Sequence, residues 1–330
     1  MGAALALGTR GQGQTWPNPN VGCVVVADGV IVGRGWTQPG GRPHAEAMAL
    51  AQAGEAARGA TLYTILEPCA HVSARGPTCS DLIVAAGIVR VVIATGDPDL
   101  RTDGAGIALL RAAGLDVTAE VRVADATRTL AGFMTHQRLG RPHVTLKLAL
   151  SLDGAAAMAD GRSQWITGDA ARAHAHVERA CADAILVGRG TWEFDSPKLD
   201  VRLPGLEGRR PSIVILLGSR GDRGGREDVS SGLSAASAIS ARTINTPSAI
   251  SDLDADWLLV EGGMSTAASF LLADLVDRLL IYRAPILIGG GRALGDIGLG
   301  NLADAHGRWA ITDSRRLGSD RLDVYERVRG

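Results

Sequence analysis

Short β-branched runs alternate with Ala- and Leu-rich helical stretches along this chain, and the alternation breaks once, at Gly140-Arg141-Pro142. That pattern points to an α/β fold, because each strand must bury its apolar face against a neighbouring element. In the first half, VGCVVVADGVIVGRGW reads as a hairpin turning at Ala27-Asp28-Gly29. HAEAMALAQAGEAA has helical spacing, ATLYTIL reads as a strand, SDLIVAAG as a short helix and VRVVIAT as a strand. GAGIALLRAAG is a helix closed by Gly114, LDVTAEV a last strand, and ADATRTLAGFMTHQRLG a single helix ending at the break.

Beyond the break the alternation restarts with the strand HVTLKLAL, the helix DAARAHAHVERACA and the strand AILVG. The strands SIVILLG, WLLVEGG and RLLIYRAPILIG follow, with the helix STAASFLLADLV among them. The stretch 218–256 is rich in Gly, Ser and Ala and reads as loops with one or two short elements. With 330 residues, 46% of them apolar, each half can bury its own core. The break is therefore a domain boundary, with no repeat of fixed period on either side.

Charge and patterning exclude several classes. Basic and acidic residues number 34 and 35, so the basic excess that neutralises nucleic-acid phosphates is missing. No apolar run approaches the ~20 residues that span a bilayer. MGAALALGTRG turns polar too soon for a secretory leader, and Ala6 stands where a myristoylation signal wants Ser or Thr. A cytoplasmic protein without nucleic-acid or membrane partners is the expectation. Its four cysteines are too scattered for a disulfide framework, so in a reducing compartment those near a histidine read as metal ligands.

His44-Ala45-Glu46 opens a helix, Glu67-Pro68-Cys69 ends a strand, and Cys79 starts the next helix. One imidazole and two thiolates suit Zn²⁺ and leave its fourth position open, the mark of a catalytic site. The helix N-terminus at Cys79 favours its thiolate. Glu46, two residues past the histidine, can approach the metal without ligating and carry a proton. This is the donor set of zinc deaminases that exchange a ring amino group for oxygen. Nine residues separate Cys69 from Cys79, however, where nucleoside and tRNA deaminases have two. Cys23, in mid-strand, and Cys181, near a helix end, read as packing residues. Gly289-Gly290-Gly291 reads as a simple turn.

In the first half WPNPNVGCVVV, PHAEAMAL, TILEPCAH, CSDLIVAAG and GDPDLRTDGAGI, and in the second LKLALSLDG, SQWITG, ADAILVGRGT, LLVEGG and YRAPILIGGG, occur in this order over most of the chain. Together they make the chain resemble the bifunctional riboflavin-biosynthesis deaminase–reductases. The resemblance implies a cytidine-deaminase-like domain over 1–141 and a dihydrofolate-reductase-like domain over 142–330. It also implies zinc, NADPH, a phosphorylated pyrimidine substrate, and assembly into a dimer or tetramer.

Carried over by motif, His44, Cys69 and Cys79 would bind zinc, Glu46 would shuttle the proton, and Asn20 would help hold the pyrimidine. In the second domain the resemblance puts nucleotide contacts at Ala149, Trp165, Thr191 and Asp195, and at Gly263, Met264, Ser265, Thr266, Ala267, Ala268 and Ser269. It puts substrate contacts at Ser163, Arg179, Leu199, Arg202 and Glu261. A strand running through a Gly turn into a helix N-terminus offers N–H groups to a phosphate, and Arg179 and Arg202 suit phosphate as well.

The chain departs from the family pattern at four places. The loop between the cysteines is one residue longer and has Val72 in place of a second histidine. Ser196 replaces an aspartate, SIVILLGS lacks its terminal Asp-Ser, and the second domain is shorter. Two alternatives stay open: a deaminase whose second half only binds or assembles, and a nucleic-acid editing deaminase.

Overall fold

A computed structural model of the chain describes residues 1–71, 76–195, 197–218 and 241–329. Val72, Ser196 and most of the Gly/Ser-rich stretch lie outside the described residues. The chain forms two compact units, Met1–Pro142 with Asp254–Asp256, and His143–Leu253 with Trp257–Gly330. Among the described residues no helix is long and apolar enough to cross a membrane.

The first unit opens on the helix α1 (Gly2–Gly8), followed by β1 (Gly22–Ala27) and β2 (Val30–Trp36). These strands pair antiparallel through a turn one residue shorter than expected: Ala27 pairs with Val30 inside the hairpin, and Asp28 and Gly29 turn with positive φ, 48° and 77°. Then come α2 (Ala45–Ala53), β3 (Thr61–Thr64), α3 (Cys79–Ala85), β4 (Arg90–Ile93), α4 (Ala105–Ala112) and β5 (Asp116–Thr118). The five strands lie in the order β2-β1-β3-β4-β5, with β3, β4 and β5 parallel. Cys23 is fully buried in the apolar core of this sheet, a packing residue as expected. α2 sits so close to β2 that a Cβ on Gly33 or Gly35 would come within about 2 Å of the Ala49 or Ala45 carbonyl oxygen. Those glycines let the helix carrying His44 and Glu46 settle directly on the sheet.

Two expectations change here. The stretch ADATRTLAGFMTHQRLG is two helices, α5 (Val123–Thr129) and α6 (Ala131–Leu139), interrupted at Leu130, whose φ and ψ of −100° and 13° leave the helical region. α1 went unread as a helix because seven small and apolar residues show too little period.

In the second unit β6 (His143–Leu150), α7 (Asp169–Ala180) and β7 (Ala184–Gly188) fall where the pattern placed them. α8 (Arg189–Asp195) follows, then β8 (Ser212–Leu216), β9 (Ala241–Ile244), β10 (Trp257–Val260), α9 (Met264–Leu272) and β11 (Arg278–Arg283). A terminal hairpin, β12 (Trp309–Leu317) and β13 (Asp320–Arg327), completes a sheet ordered β12-β13-β11-β6-β10-β7-β8-β9. From β11 to β9 all pairs are parallel. RLLIYRAPILIG is not one strand: pairing stops at Arg283, and Pro285 has no N–H to extend it. β12 carried no readable signal because almost all of it is exposed, on both faces. Gly289 and Gly290 form a turn, with the N–H groups of Ile288 and Gly289 donating to the Asp153 carboxylate.

Candidate functional site

In the first unit the ligand atoms of His44, Cys69 and Cys79 all lie within 4.8 Å of one another. His44 caps the N-terminus of α2, Cys69 lies beyond the end of β3, and Cys79 is the first residue of α3. The imidazole Nδ1 lies 3.3 Å from Cys79 Sγ and 3.7 Å from Cys69 Sγ. One nitrogen and two sulfurs converging at this spacing fit a tetrahedral zinc ion with one position open. Glu46 is buried beside them. Its Oε1 accepts a hydrogen bond from Thr64 Oγ1 at 2.9 Å, and its Oε2 lies 3.3 Å from the Cys79 thiol. Burial pushes the Glu46 carboxyl above its usual range, against the pull of His44.

The two thiols divide one proton unevenly. Cys69 is pulled down to about 4, chiefly by the hydrogen bond from the Cys79 thiol and also by His44. The expectation that the helix end would favour Cys79 is corrected by geometry. The first N–H of α3 points at Cys69 Sγ, 3.3 Å away, so the helix end serves the other sulfur. In the metal-free chain Cys79 is the partner that keeps the proton.

The surroundings hold this set in place. Asn18 Nδ2 donates to the Gly41 carbonyl at 2.7 Å and lies 2.9 Å from His44 Nε2, which leaves Nδ1 facing the sulfurs. A Cβ on Gly41 would strike the Asn18 side chain at 2.8 Å. Glu67, buried, accepts the N–H groups of Asp97, Gly104 and Ile107 and so ties the segment before Cys69 to α4. Nearby, burial raises the Asp97 carboxyl to about 7. His71 lies outside this ligand set, with its Nδ1 3.5 Å from Thr102 Oγ1.

In the second unit the adjacent parallel strands β7 and β10 end at Gly188 and Val260, each followed by a helix. The carboxyl ends of such strands are where open α/β sheets take their ligands. Glu261 lies there with its side chain almost buried, and both its oxygens accept from Arg179 of α7, at 2.6 and 2.8 Å. Arg179 also donates to the Asp200 carbonyl. Despite burial, this guanidinium holds the Glu261 carboxyl below its usual range, with Lys147 and His176 adding to the effect. Gly263 caps α9, and a Cβ on it would stand 3.8 Å from Thr191 Oγ1.

Two family models match the chain: the cytidine and deoxycytidylate deaminase zinc-binding region over residues 1–95, and the RibD C-terminal domain over 142–322. Riboflavin biosynthesis protein RibD of Aquifex aeolicus is 37% identical over 326 residues, covering 92% of this chain and 91% of its own. The chain belongs to the RibD family. Among solved structures, RibD of Acinetobacter baumannii in its form 1 superposes with a TM-score of 0.85 at 34% identity, covering 99% of this chain and 97% of its own. The diaminohydroxyphosphoribosylaminopyrimidine deaminase/5-amino-6-(5-phosphoribosylamino)uracil reductase of Thermotoga maritima does so with 0.84 at 32%, covering 99% and 97%. The expected fold pair, a cytidine-deaminase-like domain followed by a dihydrofolate-reductase-like one, stands, the second matched as the RibD C-terminal domain.

Within this RibD-family fold the expected site residues separate into groups. The structure brings together His44, Glu46, Cys69 and Cys79 in one unit, and Arg179 with Glu261, and Thr191 with Gly263, in the other. Asn20 is corrected: it is buried, and its amide donates to the carbonyls of Gly8 and Thr129, so it braces α1 and α5. Asn18, two residues earlier in the same Pro-Asn-Pro-Asn run, is the one beside His44. Leu199 packs its side chain into the core with Ile185, Val187 and Leu259, leaving only its backbone for a ligand. Thr266 and Ala267 are likewise buried. Ala149, Met264, Ala268 and Ser269 are half-buried, and Ser163, Asp195 and Ser265 exposed. Trp165 is 69% exposed beneath the Arg172 guanidinium, and Arg202 is paired with Asp200.

Proposed function

We propose that residues 1–141 are the zinc deaminase and 142–330 the NADPH-dependent reductase of riboflavin biosynthesis, acting in turn on one phosphorylated pyrimidine. The first reaction takes the 2-amino group from 2,5-diamino-6-ribosylamino-4(3H)-pyrimidinone 5′-phosphate as ammonia. The second reduces the ribosylamino group to ribitylamino. The observation that carries the deaminase is the placing of the Glu46 carboxylate against a His44, Cys69, Cys79 ligand set.

His44, Cys69 and Cys79 would hold zinc, which when bound would supply Lewis-acid activation of water at neutral pH. Thr64 fixes Glu46 through Oε1, which leaves Oε2 to take a proton from water and return it to the departing nitrogen. Asn18 keeps the imidazole in orientation. Burial of Cys69, Cys79 and Glu46 shields the reacting carbon from bulk water. In the reductase, NADPH supplies the hydride. The N–H groups at the start of α9, with Thr191, suit its phosphates, and Arg179 with Glu261 suits the sugar phosphate and hydroxyls of the substrate.

Glu46→Gln should retain zinc and lose ammonia release by about 10²-fold or more; an active variant overturns the mechanism. For the second half, NADPH absorbance is followed with the deaminated pyrimidine. Neither binding nor oxidation would replace the reductase by a binding module. We also read the chain as a cytoplasmic homo-oligomer, a dimer or tetramer. Among the described residues β12 ends its sheet with an exposed edge, which supports assembly, and a monomer mass by light scattering would reject it.

A further inference from the structure

We propose that Arg42 anchors the phosphate of the deaminase substrate, an inference that rests on the deaminase reading above. Arg42 stands two residues before His44, in extended backbone. Its main chain is pinned on both sides. The Gly41 N–H donates to the Gln38 carbonyl, the Gln38 N–H donates to the Pro43 carbonyl, and the Gly41 carbonyl accepts from Asn18. The guanidinium therefore projects from a rigid base that is continuous with a metal ligand. It reaches the loop joining Cys69 to Cys79, where a Cβ on Gly76 would lie 3.6 Å from Arg42 Nη1.

This cation has no counter-charge among the described residues. Among the described residues Arg42 makes no ion pair, and its Nε is buried with no hydrogen-bond partner. A guanidinium stays ionised in a protein, and a donor removed from water calls for an acceptor. Arg101, which lies near the Asp97 carboxyl, is by contrast tied to Asp99 through Nε and Nη2. Arg42 and Gly76 are half-buried, whereas Glu46, Cys69 and Cys79 form a buried floor. A floor holding a carboxylate and thiolate sulfur repels a dianion. A substrate with a neutral ring and a phosphate tail thus places the ring on the floor and the tail at the rim. The planar fork of Arg42 matches phosphate oxygens there.

The test measures ammonia release from the phosphorylated pyrimidine and its dephosphorylated form, with inorganic phosphate as competitor and bound zinc measured alongside. Arg42→Gln should raise KM for the phosphorylated substrate about tenfold or more, with kcat within about threefold. The dephosphorylated substrate and zinc content should be unaffected, and competitive inhibition by phosphate should disappear. Arg42→Lys should fall between, keeping the charge without the fork. An unchanged KM, equal losses on both substrates, or undiminished phosphate inhibition would overturn the anchor. Absence of ammonia from both substrates with the wild-type chain would instead overturn the deaminase reading itself.

Discussion

The two sites are built differently. In the first unit every proposed catalytic or ligating group is on or beside a short element packed on the sheet, and three of the four are fixed by a supporting group: His44 by Asn18, Glu46 by Thr64, Cys69 by the N–H of Cys79. In the second unit the largely buried ion pair Arg179 with Glu261 sits among expected contacts most of which are half-buried or exposed, with Leu199, Thr266 and Ala267 turned into the core. Deamination needs a proton carrier placed to within a fraction of an ångström beside a metal. Reduction draws its reactive atom from a bound cofactor, so the chain's own task is to dock two large molecules.

Removing a metal ligand should separate the units most sharply. Cys69→Ala should abolish stoichiometric zinc and reduce ammonia release to background, while NADPH oxidation on deaminated substrate stays near wild type. Metal analysis with paired assays checks it, and loss of both activities would show that the units do not act separately. Glu261→Gln strands the Arg179 charge and should destabilise the second unit by about 3 kcal/mol or more in denaturant unfolding. Because the folded Glu261 pKa is depressed, the wild-type pair contributes fully above the unfolded value of about 4.3 and is lost as pH falls below it.

Asp97 carries the opposite sign. Its folded pKa of about 7 is raised, so ionising it opposes folding, and that cost grows from about pH 4 to pH 7. Asp97→Asn should therefore stabilise the first unit at pH 8, by up to about 4 kcal/mol, with little effect at pH 4. Unfolding curves at the two pH values decide it. Smallest should be Asn18→Ala, which frees the His44 ring and weakens zinc binding about tenfold. Chelator competition measures this, and an unchanged affinity would remove Asn18 from the support of the site.

The difference between the units also marks what could be read from residues alone. His44, Glu46, Cys69 and Cys79 announce a site because their chemistry is uncommon and their order is that of a ligand set. The alternating strands and helices were legible wherever one face is buried, as in β6 and β7. β12 and α8 have no buried face, so neither leaves a period in the sequence. Asn18 and Asn20 are the same residue type two positions apart, and only the path of the turn decides which meets His44. Leu199 sits in a functional motif, yet its side chain went to the core, a choice set by packing partners distant in sequence.

Glu67 gathers three backbone N–H groups across the loop and helix that follow β4. Cys69, two residues on, is therefore clamped by contacts that involve no metal. Zinc should enter a host already organised to receive it, with little chain entropy left to lose on loading. Stripping and restoring the ion should resemble ligand exchange on a rigid cage, with circular dichroism unchanged throughout, and not the collapse that follows metal removal from a zinc finger.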